Sequence, residues 1–214
     1  MNDTSLQNAV IEELQWEPSV NAAHIGVTAK GGIVTLSGDV SSYAEKSAAE
    51  EAAGRVYGVK GLANEIKVHY GFEIDDTDIA QKAVQALALD IEVPANKVMV
   101  KVQNGWVTLT GTVDWYFQRN AAESDVRKLK GVLGVINSIA LRQPSVQASD
   151  VRAKLKAAFE RRADIDESNI TVAVDGSKVT LSGHVDTWGQ DNLAVDTAWS
   201  APGVTQVEDR LTVG

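Results

Sequence analysis

Residues 31–40 read GGIVTLSGDV, and nearly the same words return as NGWVTLTGTV at 104–113 and GSKVTLSGHV at 176–185. Val34 and Leu36 alternate with Thr35 and Ser37, the period-two pattern of a strand with one buried face. The phrases follow Lys30-Gly31-Gly32, Asn104-Gly105 and Asp175-Gly176, which are hairpin-turn signals. Upstream of each turn lies a second alternating run: Ile25, Val27 and Ala29; Val98, Val100 and Val102; Ile170, Val172 and Val174. The phrase is therefore the inner strand of a hairpin that occurs three times.

The repetition extends well beyond the phrase. A shift of 73 residues carries Leu6, Leu14, Val34, Leu36, Gly38, Tyr43, Gly58, Asn64 and Ile66 onto Ile79, Leu87, Val107, Leu109, Gly111, Tyr116, Gly131, Asn137 and Ile139. A further shift of 72 reaches Val151, Phe159, Val179, Leu181, Gly183, Trp188, Gly203, Asp209 and Leu211. No gap is needed inside a unit, so the chain is three copies of one small domain, with boundaries at 1–70, 74–142 and 147–214. The linkers YGFEIDD and RQPSVQAS are short and polar, and Pro144 breaks regularity in the second.

Each unit opens with apolar residues at helical spacing: Leu6, Val10 and Leu14; Ile79, Ala83 and Leu87; Val151, Leu155 and Phe159. Asp76 and Ser149 stand where N-caps belong. After the hairpin, Ser42 to Glu45 and Thr187 to Gln190 read as capping boxes for a second helix. That helix is expected to end at Gly58, Gly131 and Gly203 in a left-handed C-cap. A last strand places Leu62, Asn64, Ile66 and Val68 on one face. The fold class is α+β: three tandem α-β-β-α-β units, each a small mixed three-stranded sheet covered on one face by two helices. The other sheet face is left open and Thr-rich.

Composition narrows function by exclusion. The net charge is -9, from 29 acidic and 20 basic residues, which opposes binding to nucleic acid by the chain as a whole. There is no cysteine, so disulfide and thiolate chemistry are absent. No apolar run is long enough for a membrane span, and the start MNDTSLQNAVIEELQW has no signal-peptide character, which places the expected compartment in the cytoplasm. His24, His69 and His184 occupy unrelated repeat positions and read as solvated surface histidines. GVKGLAN does not fit a phosphate loop, and Ser37 and Ser182 lack the upstream glycine of a nucleophile elbow. The carboxylates of EELQWE and AAEEAAG read as solvating charge. Neither an enzyme nor a bound cofactor or metal is expected.

The phrase V-T-L-[ST]-G-x-V after a hairpin, and G-V-x-x-[LV]-x-[ND]-x-[IL] near the end, occur in register three times. Together they resemble the BON (bacterial OsmY and nodulation) domain family. That resemblance implies a link with osmotic and envelope stress and with phospholipid binding. A potassium-binding relative makes a monovalent cation or other small ligand an alternative. Self-association through the open sheet faces is a third reading, and the oligomeric state is not readable. Gly38, Gly111 and Gly183 are assigned to scaffold, each ending a strand with a bend or permitting close backbone approach. Asn64, Asn137 and Asp209 are assigned to tying the last strand to a neighbouring turn through backbone partners.

The copies diverge most where the second helix begins. SSYAEKS and DTWGQDN are replaced in the middle copy by DWYFQRN. Trp115 stands where Ser42 and Thr187 cap, Phe117 stands at the positions of Ala44 and Gly189, and Trp106 takes the outward strand position of Ile33 and Lys178. Arg119, Arg127, Lys128 and Lys130 lie on the same helix, and this copy is the least acidic. Trp106, Trp115, Phe117 and Arg119 are the candidate binding residues for a phospholipid surface or a protein partner. Packing of Trp115 and Phe117 against a neighbouring repeat is the competing reading.

Overall fold

The computed structural model describes residues 2–71, 75–142, 148–161 and 169–214, the side chains of 148–150 and 160 excepted. The remaining residues take in Pro144 and much of both linkers, so the linker readings lie outside the described residues. In the first repeat the elements are α1 (Asp3–Trp16), β1 (Ile25–Lys30), β2 (Ile33–Val40), α2 (Tyr43–Gly54) and β3 (Gly61–Val68). In the second they are α3 (Asp76–Leu89), β4 (Val98–Gln103), β5 (Trp106–Val113), α4 (Tyr116–Arg127) and β6 (Gly134–Leu141). In the third they are α5 (Ala148–Glu160), β7 (Ile170–Asp175), β8 (Lys178–Val185), α6 (Trp188–Trp199) and β9 (Gln206–Val213).

Each repeat forms its own three-stranded sheet with the repeated phrase in the centre: β1-β2-β3, β4-β5-β6 and β7-β8-β9. In the middle sheet β4 pairs antiparallel with β5, setting Val100 opposite Leu109, and β5 pairs parallel with β6, setting Leu109 opposite Asn137. The third sheet keeps this register, with Val172 opposite Leu181 and Leu181 opposite Asp209. A parallel neighbour cannot be reached by a tight turn, so the second helix is the crossover between the last two strands. The inner faces are dry. Leu109, Val107 and Ile139 pack with Ile79, Ala83 and Val126 of the two helices, and Leu181 and Val179 pack with Val151, Leu155 and Ala194. Burying each such leucine stabilises its repeat by roughly 2 kcal/mol.

The chain divides into two compact units. One comprises Met1–Gly38, Ala48–Ile66 and Gln143–Gly214; the other comprises Asp39–Ser47 and Lys67–Arg142. The start of α2 thus belongs with the middle repeat: Tyr43 packs on that repeat's core, and the Arg127 guanidinium donates to Ser47 Oγ at 3.0 Å. In the other unit Trp188 Cβ lies 3.5 Å from where a side chain on Gly54 would begin. Arg55 binds Glu13 and Glu17, both at 3.0 Å.

Several local readings need correction. Asp75, not Asp76, caps α3, its carboxylate accepting from the Thr77 amide at 3.2 Å. Asp76 instead accepts from the amides of Asn104 at 2.7 Å and Gly105 at 2.8 Å, fastening the helix to the hairpin turn. Asp3 does the same to Gly31 at 2.9 Å. Ser149 falls inside α5, and its side chain lies outside the described residues. The second helices end at Gly54, Arg127 and Trp199, before the expected glycines. Gly58, Gly131 and Gly203 do have φ of 92°, 97° and 97°, but they turn the chain in the connection to the last strand.

Gly38, Gly111 and Gly183 do not end their strands, which run on to Val40, Val113 and Val185. Their role is close approach. Their φ values are 122°, 134° and 129°, and a Cβ would sit 2.1, 2.0 and 2.0 Å from the carbonyl oxygens of His24, Lys97 and Asn169. Backbone leaves no room to yield there. Gly111→Ala is expected to destabilise the middle repeat by about 3 kcal/mol or more. Gly31→Ala, also at positive φ but with open space around it, is expected to cost only about 1 kcal/mol. Guanidinium unfolding followed by circular dichroism compares the two.

Candidate binding surface of the middle repeat

The β5–α4 junction is shaped by a cap that lacks its usual side chain. In the first and third repeats the Ser42 and Thr187 hydroxyls each accept from the amide three residues on, both at 3.1 Å. Trp115 has no oxygen to offer. Gln118 supplies the other half of the box, its Oε1 accepting from the amides of Asp114 at 3.0 Å and Trp115 at 3.1 Å. Loss of the hydroxyl cap costs a helix about 1 kcal/mol. Trp115 and Phe117 are 48 % and 53 % exposed. Between them Tyr116 is partly buried, with the Arg119 guanidinium over its ring at 5.9 Å. The equivalent residues Tyr43 and Trp188 lie against other repeats, as described above.

The four candidate residues do not form one patch. Trp115, Phe117 and Arg119 share the first turn of α4, but Trp106 is at the far end of β5. Seven strand steps at about 3.3 Å put it about 23 Å from the junction. Its ring lies over Gly134 of β6, where a Cβ would meet it at 2.4 Å. Ile136, opposite Thr108, is the diagonal neighbour of Trp106 on the open sheet face and is 49 % exposed; Met99, 65 % exposed, stands further along the same face, opposite Thr110. This second apolar patch escapes a reading of the phrase alone. The signal lay in the repeat comparison: Ile136 replaces Ala63 and Glu208, and Met99 replaces Gly26 and Thr171.

Arg127, Lys128 and Lys130 also part company with the aromatics, because they lie at the opposite end of α4, about 18 Å along a twelve-residue helix. Arg119 is the cation of the aromatic turn. The third repeat's open face is different again: Glu208 lies 2.7 Å from Lys178 and 2.6 Å from Arg210. Hydrogen bonds from these two cations hold the Glu208 carboxyl down to about 2.

The structural residues divide differently from the sequence reading. Asn64 and Asn137 accept from the amides of Ile66 and Ile139, both at 3.2 Å, and Asp209 accepts from Leu211 at 2.9 Å. The other ends of the two amides reach helices rather than turns: Asn64 donates to Glu50 and Asn137 to Glu123, both at 2.9 Å, and Asn137 also donates to the Arg119 carbonyl at 3.0 Å. His24, His69 and His184 are exposed. His69 pairs with Asp39 at 2.9 Å, and His184 lies 3.4 Å from Thr212. Among the described residues no group of three or more acidic or histidine side chains is placed to hold a metal ion. None of their helices is long and apolar enough to cross a membrane.

These features define a class: tandem small α+β domains with a shared scaffold, individualised by what each presents at the start of its second helix and on its open sheet face. The chain belongs to the BON domain family, which it matches over residues 2–70, 75–143 and 147–214. It is similar to the osmotically-inducible protein Y of Escherichia coli (strain K12), with 31 % identity over 146 residues covering 65 % of this chain and 72 % of that protein. Two solved structures of CdsD, a structural protein of the type III secretion system of Chlamydia trachomatis, align at 16 % identity and a TM-score of 0.27. One alignment covers 98 % of this chain and 92 % of that one; the other covers 100 % and 98 %. That likeness is too slight to bear on this chain.

One buried acid in the middle repeat has a measurable consequence. Asp125 of α4 is partly buried beside Asp90, and one of its carboxyl oxygens has no hydrogen-bond partner among the described residues. Burial first, then the hydrogen bond and charge of Asp90, raise its pKa from 3.8 to about 6. The proton is held more tightly in the folded state, so the stability it confers is complete below the unfolded value and lost as pH rises through about 6. Asp125→Asn is expected to stabilise the protein by about 1 kcal/mol near pH 7.5, after discounting for solvent screening, and to change little near pH 4. Denaturant unfolding at the two pH values measures it.

Proposed function

We propose that the chain is a non-enzymatic binding protein whose middle repeat contacts a phospholipid surface through the aromatic turn at the start of α4. The observation that carries this reading is the pair Trp115 and Phe117, both about half exposed, at a position where the helix forgoes its hydroxyl cap. Tryptophan and phenylalanine flanking a tyrosine suit the interfacial zone of a bilayer, where an apolar ring is buried while its polar edge stays wet. The middle repeat's low acidity lessens the repulsion that the rest of the chain would feel near an anionic surface. The relative named for osmotic induction supports a role in the response to osmotic stress.

A protein partner is the second reading, and Trp106, Ile136 and Met99 on the open face favour it. A sheet face on which exposed apolar residues alternate with threonines fits another folded surface better than it fits lipid headgroups.

Co-sedimentation with mixed phosphatidylcholine–phosphatidylglycerol vesicles separates these surfaces. The wild-type chain is expected to pellet with vesicles, and Trp115→Ser with Phe117→Ala is expected to reduce that partition by about tenfold or more. Trp106→Lys, which installs the third repeat's residue, is expected to leave it unchanged. Equal pelleting of the wild type and the double variant, or no pelleting of either, removes the lipid reading.

A further inference from the structure

The first strand of each repeat lies at an edge of its sheet, so one of its sides has no strand partner. Such an edge presents the N–H and C=O of every second residue outward, and natural sheets blunt it. In the first repeat α1 does so: the Gln7 side-chain amide donates to the Val27 carbonyl of β1 at 2.8 Å. In the third, Arg152 of α5 reaches the Val172 carbonyl of β7 at 3.5 Å. Val100 of β4 holds the same place in the middle repeat, opposite Leu109 as Val27 is opposite Leu36 and Val172 opposite Leu181. Its carbonyl therefore points out of the edge, and by alternation those of Val98 and Val102 do too. The helix residue at the position of Gln7 and Arg152 is Ala80, which has no donor to offer. Among the described residues no other side chain bonds the Val98, Val100 or Val102 backbone in its place.

The helix flank above this edge changes as well. One turn along from Ala80 on the same flank stands Val84, 57 % exposed, where the first repeat has Ile11 and the third has Lys156. On β4 itself there is no acidic residue, and the exposed Lys101 takes the position of Thr28 and Ala173. The middle repeat thus combines an uncapped strand edge, an apolar helix flank and a cation on the strand.

We propose that the β4 edge of the middle repeat binds an extended peptide as an added strand, with aliphatic side chains of the peptide against Ala80 and Val84 and an acidic one beside Lys101.

A strand placed about 4.8 Å outside β4 exchanges backbone hydrogen bonds with Val98, Val100 and Val102. Its side chains alternate between the two faces of the extended sheet. One set meets the flank of α3, which calls for aliphatic residues. The other lies beside Met99 and Lys101, where an opposite charge is favourable across the strands. A second copy of the chain is a poorer occupant. Two β4 strands pair over six residues, about 20 Å, and cover roughly 200–300 Å² on each side, against roughly 800 Å² per partner in a stable complex. That area falls short of a stable dimer and is what one peptide strand covers. This site is separate from the aromatic turn of α4 and does not rest on lipid binding there.

The test uses the full chain and a fluorescein-labelled octapeptide of alternating valine and glutamate. Anisotropy titration is expected to show saturable binding to the wild type. Ala80→Gln, which installs the first repeat's residue, is expected to weaken it about tenfold by occupying the Val100 carbonyl. Methylating one alternate set of the peptide's amide nitrogens is expected to abolish binding, and methylating the other set to leave it, since only one set faces β4. No binding by the wild type, equal binding by the wild type and Ala80→Gln, or equal effects of the two methylated sets overturns the proposal. Sedimentation velocity without peptide is expected to show no dimer that depends on this edge; a dimer dissolved by Ala80→Gln assigns the edge to a second copy and overturns the peptide.

Discussion

Each repeat is organised around one backbone approach: the α-carbon of a glycine in the central strand against the carbonyl of the residue that leads into the first strand. A Cβ at Gly38, Gly111 or Gly183 would come within about 2 Å of that oxygen. The approach fixes how far the hairpin strands overlap, and overlap in a sheet is register. A slip of one residue would turn Val107, Leu109 and Val113 out to solvent and Thr108 and Thr110 into the core. The sides of every strand, and hence the seats of both helices, follow from this contact.

A second set of ties then attaches the helices. Asp3 and Asp76 fasten the start of the first helix to the hairpin turn. Asn64 and Asn137 fasten the second helix to the edge strand it precedes. The third repeat has Ala148 where the others have Asp3 and Asp76, and Asp209 and Val195 where the others have the asparagine–glutamate pair. The third repeat therefore keeps the fold with different residues at both joints. Divergence among the copies reaches the joints of the scaffold as well as its surface.

The fold was legible because its main determinants are periodic. Alternation in GGIVTLSGDV, helical spacing at Leu6, Val10 and Leu14, and the threefold register each state a local geometry that the tertiary structure keeps. The surface was only partly legible. Trp106 and Trp115 are nine positions apart in the sequence, but a strand lies between them, so sequence proximity becomes spatial separation. Arg127, Lys128 and Lys130 shared a helix with the aromatics but not an end of it. Asp76 read as a cap because capping and turn-binding ask for the same side chain in the same place. Asp191 gave no signal: it stands in the first turn of α6, where an acidic residue is ordinarily solvated, yet it is 5 % exposed.

The magnitude available at the aromatic turn limits the kind of binding it supports. Trp115 and Phe117 are each about half exposed, so burying what remains would contribute roughly 5 kcal/mol between them at most. That alone corresponds to an affinity of roughly millimolar or slightly better. The cationic contribution is small, since Arg119 is the one cation on that turn and it lies over Tyr116. Contact through this site is therefore apolar in origin, weakly dependent on salt, and rapidly reversible. A lasting attachment would need a second point of contact on the same particle or partner.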